Sequence, residues 1–169
     1  MNLYVSYSPA DTELVAAIVT MLSANNRALV CCDADAIRAT GRWREELGPA
    51  IAAADVVLLF WCHHANVCYE LRKEFAVALE QGKDVVPLLL DDTPLPARLA
   101  GLRAIDFRSR IGVLHEPSSG PEAAGPSARE AADRLIAGEL ARGYEDLLLL
   151  GIAREIEAEL AARLGPRAS

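Results

Sequence analysis

Residues 55–91 read DVVLLFWCHHANVCYELRKEFAVALEQGKDVVPLLLD, and this stretch decides the fold. Asp55-Val56-Val57-Leu58-Leu59-Phe60 and Asp84 to Leu90 are short, almost wholly apolar, β-branch-rich runs, as strands covered on both faces should be. Between them, Val67 to Gln81 carries Leu71, Phe75, Ala78 and Leu79 at helical spacing and stops at Gly82, where a helix end is expected. The stretch is therefore a βαβ unit. Two glutamates lie one turn apart on its helix. At 100° per residue, Glu74 stands roughly 85° from the centre of the apolar stripe and Glu70 about 125° from it, so Glu74 is the boundary carboxylate. Both also fit a solvated helix face shared with Arg72 and Lys73.

The same alternation extends outward. Leu3 to Tyr7 reads as a strand, Ala10 to Ala24 as an amphipathic helix with Leu14, Val15, Ile18 and Leu22 inward, Ala28 to Cys32 as a strand, and Arg42 to Ala53 as a helix. After the βαβ unit come a short helical piece around Pro96 to Ala100 and a last strand near Arg103 to Phe107. Five strands alternating with helices predict a parallel sheet covered on both sides, the α/β class. Pro87 inside the fourth strand counts against a central position. Residues 1–110 form this domain. Residues 111–127, rich in Pro, Gly, Ser and Ala, are expected to be a flexible loop. Residues 128–165 are expected to be helical, capped by Ser127 with Glu130 in a capping box and broken near Gly143. The apolar positions Leu147, Leu150, Ile156 and Leu160 require a partner surface, either this chain's sheet or a regulatory partner protein.

The chain has 169 residues, enough for one well-buried core and too few for two full-sized domains. With 52% hydrophobic residues, and no apolar run near the ~20 residues that span a bilayer, no membrane role is expected. A formal net charge of −7 argues against nucleic-acid or acidic-membrane binding, although Arg38, Arg42 and Arg44 form a local basic group able to meet a phosphate. The opening MNLYVSYS lacks a basic n-region and a cleavage site, and four cysteines read as free thiols. A cytoplasmic protein is the expectation.

Phosphate-loop, dinucleotide-fold and hydrolase-elbow motifs do not occur in the sequence. Cys62, His63, His64 and Cys68 match no common metal-ligand spacing, so no metal is expected. The carboxyl ends of the strands are more informative, since ligands of doubly wound sheets bind there. Tyr7 and Ser8 follow the first strand, Asp33 and Asp35 the second, and Trp61 and Cys62 the third. The first strand ends in Ser6-Tyr7-Ser8 rather than an acidic pair, which disfavours a phospho-accepting receiver.

LYVSYSPAD, CDADAIRATGRWREELGPAIAAADVVLLFW, and RKEFAVALEQGKDVVPLLLD followed by LRAIDFR resemble the successive boxes of a bacterial TIR (Toll/interleukin-1 receptor) domain over roughly residues 1–110. The resemblance implies a flavodoxin-like fold with five parallel strands and a mobile loop over about Asp33 to Gly41. In the family's enzymatic branch it implies cleavage of the nicotinamide–ribose bond of NAD+, giving nicotinamide and ADP-ribose or a cyclic isomer, in defence or signalling. The catalytic glutamate there precedes an apolar residue and a GK pair, and Glu74 fits that position. Glu70 stands where the family carries tryptophan.

Nicotinamide leaves NAD+ as a neutral molecule, so one carboxylate suffices: Glu74 would hold the ribose hydroxyls and stabilise the oxocarbenium-like transition state. Glu70 would raise the proton affinity of the more buried carboxylate. Tyr7, Ser8, Asp33, Asp35 and Arg38 are candidates for ribose or phosphate contacts and Trp43 for stacking, each with a structural role as its alternative. The resemblance also implies activation by TIR–TIR self-association. The competing class is a non-enzymatic scaffold that mediates TIR–TIR or partner contacts.

Overall fold

The structure is a computed structural model that describes residues 1–25, 30–114 and 128–164. Five parallel strands, β1 (Asn2–Ser6), β2 (Val30–Asp33), β3 (Val56–Trp61), β4 (Asp84–Leu89) and β5 (Ile105–Asp106), form one sheet in the order β2-β1-β3-β4-β5. The order reverses between β1 and β3, and that switch point lies beside the candidate residues. All six residues of β3 are buried, as its uninterrupted apolar run requires of a central strand.

Helices cover both faces. A 3-10 turn (Pro9–Asp11) leads into α1 (Thr12–Asn25), which buries Val15, Ile18 and Leu22. The other helices are α2 (Ala34–Ala39), α3 (Trp43–Ala53), α4 (His63–Val67), α5 (Tyr69–Glu80), α6 (Arg108–Leu114) and α7 (Ala128–Leu164). α1 packs against α7, and α3 against α5. No helix among the described residues is long and apolar enough to cross a membrane.

Several expectations change. The helix anticipated from Val67 starts at Tyr69 as α5, because Cys68 is extended (φ −74°, ψ 118°), and a separate short helix that was not anticipated, α4, precedes it. Arg72 of α5 donates Nε–H to the Asn66 carbonyl at 3.1 Å, satisfying a backbone acceptor that the break leaves open. Part of the expected loop after β2 is helix α2, with Ala34 and Ile37 turned into the core. The last strand is only two residues, and Pro96 to Ala100 is a hydrogen-bonded turn rather than a helix. α7 continues through Gly143, which is exposed and costs about 1 kcal/mol relative to alanine without ending the helix. Of the loop expected over 111–127, residues 111–114 instead continue helix α6, and the remainder and the Ser127 cap lie outside the described residues.

Pro87 fits β4 by parity. The Leu90 N–H bonds the Trp61 carbonyl, and the Leu89 carbonyl accepts from the Phe107 N–H, both at 2.9 Å. Alternate residues of a strand face opposite neighbours, so Pro87, like Leu89, faces the β5 side. There β5 begins only at Ile105, opposite Leu88. The carbonyl one step earlier, Arg103, accepts instead from Arg163 Nη2 at 2.7 Å. The missing N–H costs no ladder bond.

Candidate active site

Glu74 lies on the face of α5 turned toward the sheet, beside Leu71, Phe75 and Ala78, and is completely buried. Its helical phase puts it at the edge of the apolar stripe, and β1 supplies the partner that lets a carboxylate stay there. Ser6 Oγ, itself fully buried, donates to Glu74 Oε2 at 2.6 Å. Arg38, in the last turn of α2, donates to Oε1 from Nη2 at 2.7 Å and from Nε at 3.1 Å. Glu70, half-buried, takes a long contact from Cys68 Sγ at 3.6 Å and plays no part in this cradle.

Arg38 is the hub of the network. Its Nη1 meets Asp35 Oδ1 at 2.8 Å and its Nη2 also donates to the Tyr7 carbonyl at 3.0 Å. The Tyr7 hydroxyl donates to Asp35 Oδ2 at 3.0 Å, and Thr12 Oγ1 meets the same oxygen at 3.1 Å. Tyr7, Asp35, Arg38 and Glu74 are thus brought together as one polar cluster at the carboxyl end of β1. The ion pair leaves Glu74 without solvent contact, so this conformation is closed.

Burial pushes the Glu74 carboxyl above its ordinary range, although Arg38 and Ser6 pull the other way. The leading cause is desolvation rather than the Glu70 charge anticipated from sequence. Burial also works against the Arg38 charge, but Glu74 and Asp35 hold its proton more tightly than usual. A weaker influence comes from the Trp43 indole N–H, which favours the charged carboxylate without reaching hydrogen-bond geometry, so its Nε1 is buried with no partner. The Trp43 ring borders a surface depression between α3 and α5, shared with Tyr69, Arg44 and Lys73.

The other candidates sit differently. Ser8 caps the 3-10 turn, accepting from the Ala10 N–H at 3.4 Å, and is spent on local structure. Trp61 belongs to the core, edge-on to Phe75 at 6.3 Å, with its N–H on the Pro94 carbonyl, so it offers no face to the crevice. The Asp33 side chain lies outside those described. Sequence reasoning missed Ser6, whose signal was a hydroxyl at the end of the otherwise apolar run Leu3-Tyr4-Val5. The GK pair is structural: Gly82 is left-handed (φ +65°), and Lys83 Nζ donates to the carbonyls of Ala52 and Ala54 at 2.6 and 2.8 Å.

A second group lies at the carboxyl end of β3. Cys62 Sγ meets Asp11 Oδ2, and His64 Nδ1 meets Asp11 Oδ1, both at 3.0 Å. Burial, reinforced by Asp11, pushes the Cys62 thiol up to about 12. Asp91 accepts from the His63 N–H at 2.9 Å and from its ring at 2.7 Å.

A family model described as a TIR domain matches residues 3–116. The crystal structure of the TIR domain of the Toll-related receptor TRR-2 from Hydra magnipapillata is similar at 14% sequence identity and a TM-score of 0.52, covering 62% of this chain and 82% of that one. At that identity the likeness speaks for the fold alone. No curated protein matches the sequence.

Proposed function

The chain belongs to the TIR domain family, and from that premise we propose that it is an NAD+ nucleosidase whose working carboxylate is Glu74. The observation that carries this reading is a fully buried glutamate beside the switch point of the sheet, cradled by Ser6 and Arg38. A carboxylate kept dry and held by two side chains is preorganised to meet a positive charge developing on a ribose ring. The nicotinamide ring is itself the electron sink, so the site needs no second acid. Ser6 holds one carboxylate oxygen in place while the other receives the ribose hydroxyls.

Substrate access requires Arg38 to withdraw, because its guanidinium occupies the oxygen that the ribose would use. α2, which carries Arg38, is the element whose displacement opens the site. The exposed arginine would then be free to meet the pyrophosphate, while Trp43 and Tyr69 offer aromatic faces flanked by Arg44 and Lys73. TIR–TIR self-association supplies a reason for α2 to move. The test is nicotinamide release from NAD+ by the purified protein, dilute and under crowding that drives assembly. Release that grows with assembly supports the reading.

The closed Arg38–Glu74 pair also favours a second reading, in which the pair is a structural contact of a non-enzymatic TIR scaffold. Absence of nicotinamide release from demonstrably assembled protein would select it.

A further inference from the structure

We propose that Asp11, Cys62 and His64 form a binding site for a thiophilic divalent cation, zinc foremost. The three come from separate elements: the 3-10 turn after β1, the residue following β3, and the first turn of α4. One ligand atom from each lies within 4.8 Å of the others. Tetrahedral ligands around zinc stand roughly 3.5 Å apart for bonds of about 2.0–2.3 Å, and the two contacts to Asp11 are already 3.0 Å. A small adjustment converts this triangle into three coordination bonds.

The donor chemistry selects the ion. Thiolate and imidazole exclude magnesium and calcium and suit zinc or cobalt, with a carboxylate completing a mixed S, N, O set. Cys62 is buried and His64 is partly exposed, so the site is rigid on one side and reachable on the other. All three residues line one cavity of about 370 Å³. A cation held by three protein ligands keeps a fourth position for water or an anion, and the cavity supplies the room. The surroundings are acidic: Asp91 and Asp92 line the same cavity, and the Arg108 charge there is matched by Asp92 and Asp106 at 2.8 and 2.5 Å.

Asp91 is a positioning residue. By accepting the His63 backbone N–H it fixes the first turn of α4, which presents His64. Binding replaces the two hydrogen bonds to Asp11 with metal bonds, and the Cys62 thiol proton passes to solvent. No residue of the Glu74 cradle takes part, so this site stands or falls independently of NAD+ cleavage.

The test is titration of the chelator-stripped full chain with Co2+, followed by Zn2+. The expected result is one equivalent of cobalt with a sulfur-to-cobalt charge-transfer band, bleached by zinc. The band should disappear in Cys62→Ser and persist when Cys31, Cys32 and Cys68 are all changed to serine. Asp11→Asn and His64→Gln should each weaken binding by about tenfold or more, a readout that survives if Cys62→Ser does not fold. Lack of a saturable band in the wild type, or a band retained in Cys62→Ser, would overturn the proposal.

Discussion

Glu74 is a carboxylate for which burial outweighs its partners. Its proton affinity is raised above the ordinary value of 4.5 chiefly by desolvation, with Arg38 and Ser6 opposing. The folded protein therefore holds this proton more tightly than the unfolded chain does. Stability from this group is full below the unfolded value and declines as pH rises through the folded one. Urea midpoints measured from pH 4.5 upward should fall less steeply in Glu74→Gln, which keeps the shape and removes the titration; an unchanged slope would mean that Glu74 is not the titrating group. The residue was legible because helical phase is a local property. Its partner was not: Ser6 lies 68 residues away, and Asp11 lies 51 residues from Cys62, so neither contact exists until the sheet has formed.

Elements were legible where their end signals are local. α5 stops in a Schellman motif, with the Lys83 N–H on the Ala78 carbonyl at 2.9 Å and the Gly82 N–H on that of Leu79 at 3.1 Å. A side chain on left-handed Gly82 meets no neighbour, so Gly82→Ala carries the backbone penalty alone and should cost about 1 kcal/mol by urea denaturation. α4 was hidden, because its five residues carry a single buried position, Ala65, which shows no period. α2 was hidden for the same reason. Six residues give little periodicity, and its helix is fixed by tertiary contacts, the burial of Ile37 and the Arg38 bonds to Tyr7 and Glu74.

At the scale of the molecule, alternation of strand and helix was enough to fix the parallel sheet, but the course of α7 was not. Its apolar residues Ile152, Ala153, Ile156 and Leu160 are buried, whereas Leu147 is 67% exposed. Arg163 then pins its end to Asp84 and the Arg103 carbonyl at 2.7 Å each. The last third of α7 thus belongs to the core. Ile156→Ala should cost about 2–5 kcal/mol and Leu147→Ala within about 0.5 kcal/mol, compared by thermal unfolding. Tyr144 and Leu147, further toward the start of α7, are exposed. The central claim concerns what the molecule does when its closed site opens, and nicotinamide release by assembled protein tests it through the paired glutamates. Glu74→Gln should reduce release by about 100-fold or more while Glu70→Gln retains it; equal release from wild type and Glu74→Gln, or loss in Glu70→Gln alone, would contradict the account.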